Sequence, residues 1–298
     1  MKKALILYNS KAGHGRVERR LDAIVKVFCE GGYEVLTRRI EFGRNPFDEE
    51  PLRAVDLVVV CGGDGTLNYT LNAMKSHGLD LTLGVIPAGT ANDFAGAIGM
   101  KNGLLKAARQ IVGGEPRRLD CARVNGLYFI NIFSFGLFTT TSQHTPDNMK
   151  HHLGKMAYLI EGSKELQHPD YIPLHIVHDE GEEDLEALIV LIFNGETAGR
   201  FRLAREASVC DGVLDMLVMH RCNALDSARA MLMFLINGKE NEAIKHIRSR
   251  RIELSSPMNP PTDMDGQRSA EFPLTIECVA GGVSIVCPTN FDTDDDNE

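Results

Sequence analysis

The chain has 298 residues, 43% of them hydrophobic, and a formal net charge of −9. That length suits two domains with sizeable cores, and the negative charge argues against electrostatic nucleic-acid binding. Seven cysteines, odd in number and without a CxxC spacing, argue against a zinc site and against a disulfide framework.

The first apolar run, Ala4 to Tyr8, reads as a buried parallel strand. It ends at Asn9-Ser10-Lys11, too soon for a signal-peptide core. No window holds the ~18 apolar residues of a membrane span, so a soluble cytosolic chain is expected. Arg16 to Glu30 places Val17, Leu21, Ile24, Val25 and Phe28 on one helical face, with Gly31-Gly32 as its stop. Strands follow at Tyr33–Ile40 and Leu57–Cys61, a helix at Thr66–Met74, a strand at Leu81–Ile86, and helices near Ala91–Ala97 and Gly103–Val112. This alternation predicts an α/β domain with a parallel sheet over residues 1–118.

The pattern changes at Pro116-Arg117-Arg118. Val124-Asn125-Gly126-Leu127 signals a hairpin with a type I′ turn. Further strands are expected at Tyr171–His178, Leu185–Phe193, Val213–His220, Arg251–Ser255, Leu274–Cys278 and Val283–Cys287, the last two closed as a hairpin by Gly281-Gly282. Only Leu153–Leu166 and Ala224–Ile236 read as substantial helices, so residues 119–290 are expected to be mainly antiparallel β. Residues 291–298 read as a solvated acidic tail. The histidine-bearing stretch Thr139 to Lys155 reads as a loop, and Met231 to Ile236 as core packing or a lipid-admitting surface.

Three polar, glycine-rich turns each follow a predicted parallel strand. They are Asn9-Ser10-Lys11-Ala12-Gly13-His14-Gly15, Gly62-Gly63-Asp64-Gly65-Thr66-Leu67-Asn68 and Pro87-Ala88-Gly89-Thr90-Ala91-Asn92-Asp93. Ligands of open parallel sheets bind at the carboxyl ends of the strands, where glycines let the backbone approach a phosphate and free N–H groups favour an anion. Asp64 repels phosphate; it fits a contact with Mg²⁺, proton abstraction from a hydroxyl, or a plain cap in a tight turn. Neither GxxxxGK[ST] nor GxGxxG is present, so the nucleotide site is of another type.

GGDGTLN at Gly62 to Asn68, followed by IPAGTANDFA at Ile86 to Ala95 and by DGVLD at Asp211 to Asp215, resembles the diacylglycerol-kinase catalytic-domain family. That family includes bacterial soluble diacylglycerol kinases and YegS-like lipid kinases. The resemblance spans nearly the whole chain and implies an ATP- and Mg²⁺-dependent lipid kinase. ATP would lie between the α/β domain and a β-sandwich domain. It implies phosphate contacts from Asn9, Ser10, Lys11, Ala12 and Gly13, although the family often has proline at the position of Ser10. It implies a main nucleotide loop of Gly62, Gly63, Asp64, Gly65, Thr66, Leu67 and Asn68, with a further contact from Thr90. Asp64, Asp93 and Asp120 match family carboxylates near the catalytic Mg²⁺; for Asp120 the competing reading is a salt bridge to Arg117 or Arg118. Asp211, Leu214 and Met216 match a structural Mg²⁺ loop, where the residue types alone suggest a turn entering a strand.

One position departs from the family. Met264-Asp265-Gly266-Gln267 stands where the family has DGE, whose glutamate is the proposed general base. An amide cannot take a proton near neutral pH. Asp64 would then serve as base, or Glu271 would substitute, or transfer would proceed with a weak base, or the chain would be a feeble or non-catalytic nucleotide-binding relative. A NAD kinase, which shares GGDGT, is the other enzyme reading. The expected acceptor is diacylglycerol, giving phosphatidate in phospholipid metabolism. Such an enzyme works at the membrane surface as a transient peripheral protein, with Arg200-Arg202-Arg205 or Lys245-Arg248-Arg250-Arg251 as candidate lipid-docking patches. A homodimer is compatible with the sequence, which does not fix the oligomeric state.

Overall fold

A computed structural model describes residues 1–49, 52–137, 171–198, 201–202, 204, 207–221 and 243–291. The loop expected at 139–155, the helices at 153–166 and 224–236, Arg200, Arg205 and the tail beyond 291 lie outside the described residues. The chain forms two compact units, Met1–Cys121 with Ala280–Glu298, and Ala122–Val279. Residues 119–290 are therefore not one contiguous body: the chain returns to the first unit at Ala280.

The first unit is built from β1 (Lys2–Tyr8), a short turn of helix (Ala12–Gly15), α1 (Arg16–Arg19), α2 (Leu21–Glu30), β2 (Tyr33–Arg39), β3 (Leu57–Gly62), α3 (Asp64–Ser76), β4 (Thr82–Pro87), α4 (Asp93–Ala97) and α5 (Leu104–Gly113). The strands run parallel in the order β4-β3-β1-β2. Leu5, Ile6, Leu7, Val58, Val59 and Leu83 are buried completely, because helices cover the sheet. α2 packs on α5 and β2, α5 on β4, and α3 on β3. The helix expected over Arg16 to Glu30 is broken at Arg20, whose φ of −114° is not helical. Val17 and Ile24 remain buried on either side of the break.

The second unit is mainly antiparallel. Its strands are β5 (Glu115–Val124, shared with the first unit), β6 (Leu127–Phe129), β7 (Ile132–Gly136), β8 (Ile172–His178), β9 (Gly181–Phe193), β10 (Thr197–Ala198), β11 (Phe201–Arg202), β12 (Leu214–His220), β13 (Ile244–Ser249), β14 (Arg251–Ser255), β15 (Thr262–Met264), β16 (Gln267–Arg268) and β17 (Leu274–Cys287). β5 and β6 form the expected hairpin, with Val124 opposite Leu127 and φ of 46° and 91° at Asn125 and Gly126, as a type I′ turn requires. Alternate residues of β9 and β12 feed two cores. Val190, Ile192, Met216 and Val218 join one, and Ile189, Phe193, Leu217 and Met219 the other. Burial on both faces explains why these strands read as continuous apolar runs.

Gly281-Gly282 does not close a hairpin. β17 runs through both glycines as one strand, with φ of 58° at Gly281. Its first half pairs antiparallel with β14, and its second half runs parallel to β4, Ile285 opposite Leu83. The left-handed conformation of Gly281 is accommodated within the continuous strand, as only glycine does at little cost. Glu271 does not begin a strand either; β17 starts at Leu274.

Candidate active site

β1, β3 and β4 are adjacent and parallel, so the turns that follow them leave the same sheet edge. Backbone bonds stitch them together: Asn9 N–H donates to Cys61 O (3.1 Å) and Ala88 N–H to Gly62 O (2.8 Å). The Asn9 side chain reaches Thr66 Oγ1 at 3.5 Å and accepts from Lys11 N–H at 3.0 Å. The second and third turns touch backbone to backbone. A Cβ on Gly89 would lie 2.5 Å from Gly63 Cα, and one on Gly62 would lie 2.4 Å from Thr66 Cβ. Only glycine permits that approach. Asn92, in the left-handed region at φ 55°, fixes Gly89 from both sides: its Oδ1 accepts from Gly89 N–H (2.8 Å) and its Nδ2 donates to Gly89 O (3.0 Å). Asn92 is absent from the sequence-based set of site residues; an asparagine inside a glycine-rich turn is the signal that would have found it.

Asp64 joins two of these turns. Its carboxylate accepts from Asp93 N–H and Phe94 N–H, each at 3.2 Å, and so caps α4 instead of only its own helix. Burial, and then the charge of Asp93, push the Asp64 carboxyl above the ordinary aspartate range, against the opposing pull of the backbone N–H groups. Asp93 is itself only 7% exposed. The charge of Asp93 adds to the cost of ionising buried Asp64, and a hard divalent cation with oxygen ligands would relieve it. Asp64 and Asp93 offer hard carboxylate oxygens of the kind Mg²⁺ takes, but among the described residues no three His, Cys, Asp or Glu side chains group as a metal site.

The remaining positions divide by environment. Gly13, His14 and Gly15 all have positive φ, and Arg16 Nε and Arg19 Nη2 bond the carbonyls of Gly13 and His14. Ser10 and Ala12 are half-buried, while Lys11 and Thr90 are exposed. Leu67 and Asn68 are buried within α3, and Asn68 accepts from Asn72. Leu67 thus has its side chain in the core. Asp120, 3% exposed, accepts from Gly281 N–H at 2.8 Å. The salt bridge weighed for Arg118 goes elsewhere, to Asp80 at 2.5 Å.

The other predicted residues lie in the second unit. Asp211 accepts from Val213 N–H and pairs with Arg248 at 2.6 Å. Leu214 and Met216 are buried in β12, opposite Ser249 and Ile247 of β13. The most deeply buried carboxylate of this segment is Asp215, 1% exposed, with His246 Nε2 at 2.7 Å. Gln267 is exposed at the start of β16. Two residues before it, buried Asp265 accepts three backbone N–H bonds, from Ile130, Asn131 and Ile132, at 2.9 to 3.2 Å. Of the second candidate basic patch, Lys245 pairs with Glu183, Arg248 with Asp211, and Arg251 with Glu253 and Glu277. Those charges are locally balanced, which weakens the patch as a lipid dock. No described helix is long and apolar enough to cross a membrane.

Residues 3–124 match the model of the diacylglycerol kinase catalytic domain, and residues 132–287 that of the YegS C-terminal NAD kinase beta sandwich-like domain. A Bacillus subtilis protein named diacylglycerol kinase is 31% identical over 294 residues, covering 97% of each chain. A diacylglycerol kinase of Staphylococcus epidermidis is 29% identical, covering 96% of this chain and 92% of its own. The crystal structure of a diacylglycerol kinase from Bacillus anthracis str. Sterne superposes with a TM-score of 0.80 at 26% identity, covering 97% of this chain and 98% of that one. Glycine turns in backbone contact, a carboxylate bridging them, and similarity along the entire chain lead to one assignment: this chain belongs to the diacylglycerol kinase family of lipid kinases.

Proposed function

We propose that the chain transfers the γ-phosphoryl group of ATP to the hydroxyl of diacylglycerol, giving phosphatidate. The observation that carries this reading is the backbone contact of Gly63 and Gly89, with Asp64 spanning the turns they belong to. Backbone N–H groups of the three turns hold the triphosphate, and glycines keep side chains out of its way. Asp64 and Asp93 are the residues we assign to Mg²⁺, which when bound would neutralise phosphate charge; Asp120 does not group with them and is left out of that set. Asp64 also takes the hydroxyl proton, since Gln267 cannot. The enzyme meets its lipid at the membrane surface.

Labelled ATP with diacylglycerol in mixed micelles tests the proposal, with NAD as a second acceptor arm. Labelled phosphatidate that requires Mg²⁺ and is lost in Asp64→Asn supports it. Absence of phosphatidate at every Mg²⁺ concentration, or phosphorylation of NAD instead, overturns it.

A further inference from the structure

A triphosphate cradle leaves the nucleotide's base to be seated, and one neighbouring feature is built to take it. β2 is the edge strand beside β1, with Arg39 opposite Tyr8. Ile40 N–H still bonds Tyr8 O at 2.9 Å, so the chain leaves β2 directly alongside Asn9 and the first phosphate turn. Two residues on stands Phe42, 56% exposed. Among the phenylalanines whose side chains are described it is the one left in solvent.

Phe42 is not a loose loop tip. Its ring packs edge-to-face on Tyr69, with centroids 5.0 Å apart at 66°. The Tyr69 hydroxyl donates its proton to Arg44 O (2.7 Å), with Glu41 O also within reach at 3.2 Å, so the loop is held on both sides of Phe42. Asn45 anchors its far end, donating to Ala73 O at 2.9 Å. Tyr69 and Thr66 lie three residues apart on α3 and so share a face, and Thr66 is the residue that meets Asn9. A positioned, exposed aromatic ring thus stands in the loop that leaves β2 beside the first glycine-rich turn. Because it is held in place beforehand, a ligand that stacks on it loses little by ordering the loop.

We propose that Phe42 is the stacking platform for the nucleotide's base, with Tyr69 as the residue that positions it. The inference rests on reading the three turns as a nucleotide site. Recognition is through the π-face of the base instead of its hydrogen-bonding edge, which makes it tolerant of the base's identity.

Calorimetry on the full chain with ATP and with inorganic tripolyphosphate separates base from phosphate. Phe42→Ala should weaken ATP binding on the order of five- to a hundredfold and leave tripolyphosphate binding unchanged, with a melting temperature lowered only slightly by loss of the ring contact with Tyr69. The chain contains no tryptophan, so Phe42→Trp installs a single reporter. Its emission should respond to ATP and not to tripolyphosphate. ATP affinity unchanged in Phe42→Ala, or emission of Phe42→Trp unmoved at saturating ATP, overturns the platform while leaving the nucleotide site intact. A wild-type chain that binds neither ligand overturns both.

Discussion

Replacing Gly89 by alanine puts a methyl group 2.5 Å from Gly63 Cα and 2.9 Å from Asn92 Oδ1. Carbon atoms pack at about 3.5–4.0 Å, so the two turns must part by about 1 Å. Neither neighbour yields cheaply: one is backbone, and the other is already bonded to Gly89 at both ends. Overpacking of this kind costs about 1–3 kcal/mol. The larger effect is on rate. Separating the turns moves Asp64 relative to the groups around Gly89, and a misplacement of about 1 Å is enough for a hundredfold loss. The expected result for Gly89→Ala is therefore a roughly hundredfold lower rate of phosphatidate formation, with a folded chain of modestly lower melting temperature. Gly96→Ala is the matched control, since a Cβ there meets nothing within 4 Å and the residue is helical. It should be neutral or stabilise by about 0.5–1 kcal/mol. If Gly89→Ala keeps a rate within about threefold of wild type, the turns do not act through their contact and the reasoning fails.

Three further outcomes are expected. The Asp64 carboxyl is raised in the folded chain by burial first and by Asp93 second, so the folded state holds that proton more tightly than the unfolded one. The resulting stability is full below the ordinary carboxylate range and lost as pH rises through the raised value; the melting temperature of wild type relative to Asp64→Asn should fall across that window, and a rise would contradict the assignment. Asp265→Ala strips the acceptor from three buried backbone N–H groups, at about 1–3 kcal/mol each, and should lower the urea midpoint by far more than Asp265→Asn, which keeps one acceptor oxygen. Arg118→Ala removes an exposed ion pair with Asp80 and should change stability by less than about 1 kcal/mol, as chemical denaturation will read.

The central parallel strands β1, β3 and β4 were legible because they are buried on both faces. Ala4 to Tyr8 and Leu57 to Cys61 have no polar residue to disguise them until the turn begins. Their convergence followed from adjacency alone, and the Asn125-Gly126 turn declared itself through its chemistry. β5 was not legible: Glu115, Pro116, Arg117 and Arg118 are exposed and read as a boundary. They are extended because β5 pairs with β17, a partner that no local pattern announces. β13 failed for a related reason: Ile244 and Ile247 are buried and Lys245 and Arg248 exposed, so its apolar residues recur every third position and do not alternate. Gly281-Gly282 carried a true signal of unusual backbone that was assigned to the wrong structure. The glycines of the candidate site were found by pattern, whereas Asn92, Asp265 and Phe42 matter through contacts that exist only after folding.

β17 has a consequence for how the chain comes to be made. The outer edge of β4 is covered by Ile285 opposite Leu83, and Thr82 Oγ1 meets Ser284 Oγ at 3.0 Å, 202 residues apart in sequence. A ribosome adding about 5–20 residues per second exposes β4 for some tens of seconds before its partner emerges. During that interval the nucleotide-turn unit has an open parallel edge, the kind of surface that recruits other chains. Contacts so distant in sequence also form slowly. The glycine-rich turns after β1, β3 and β4 thus wait on a strand translated far downstream of them, and a nascent chain stalled before Ala280 presents that edge to chaperones.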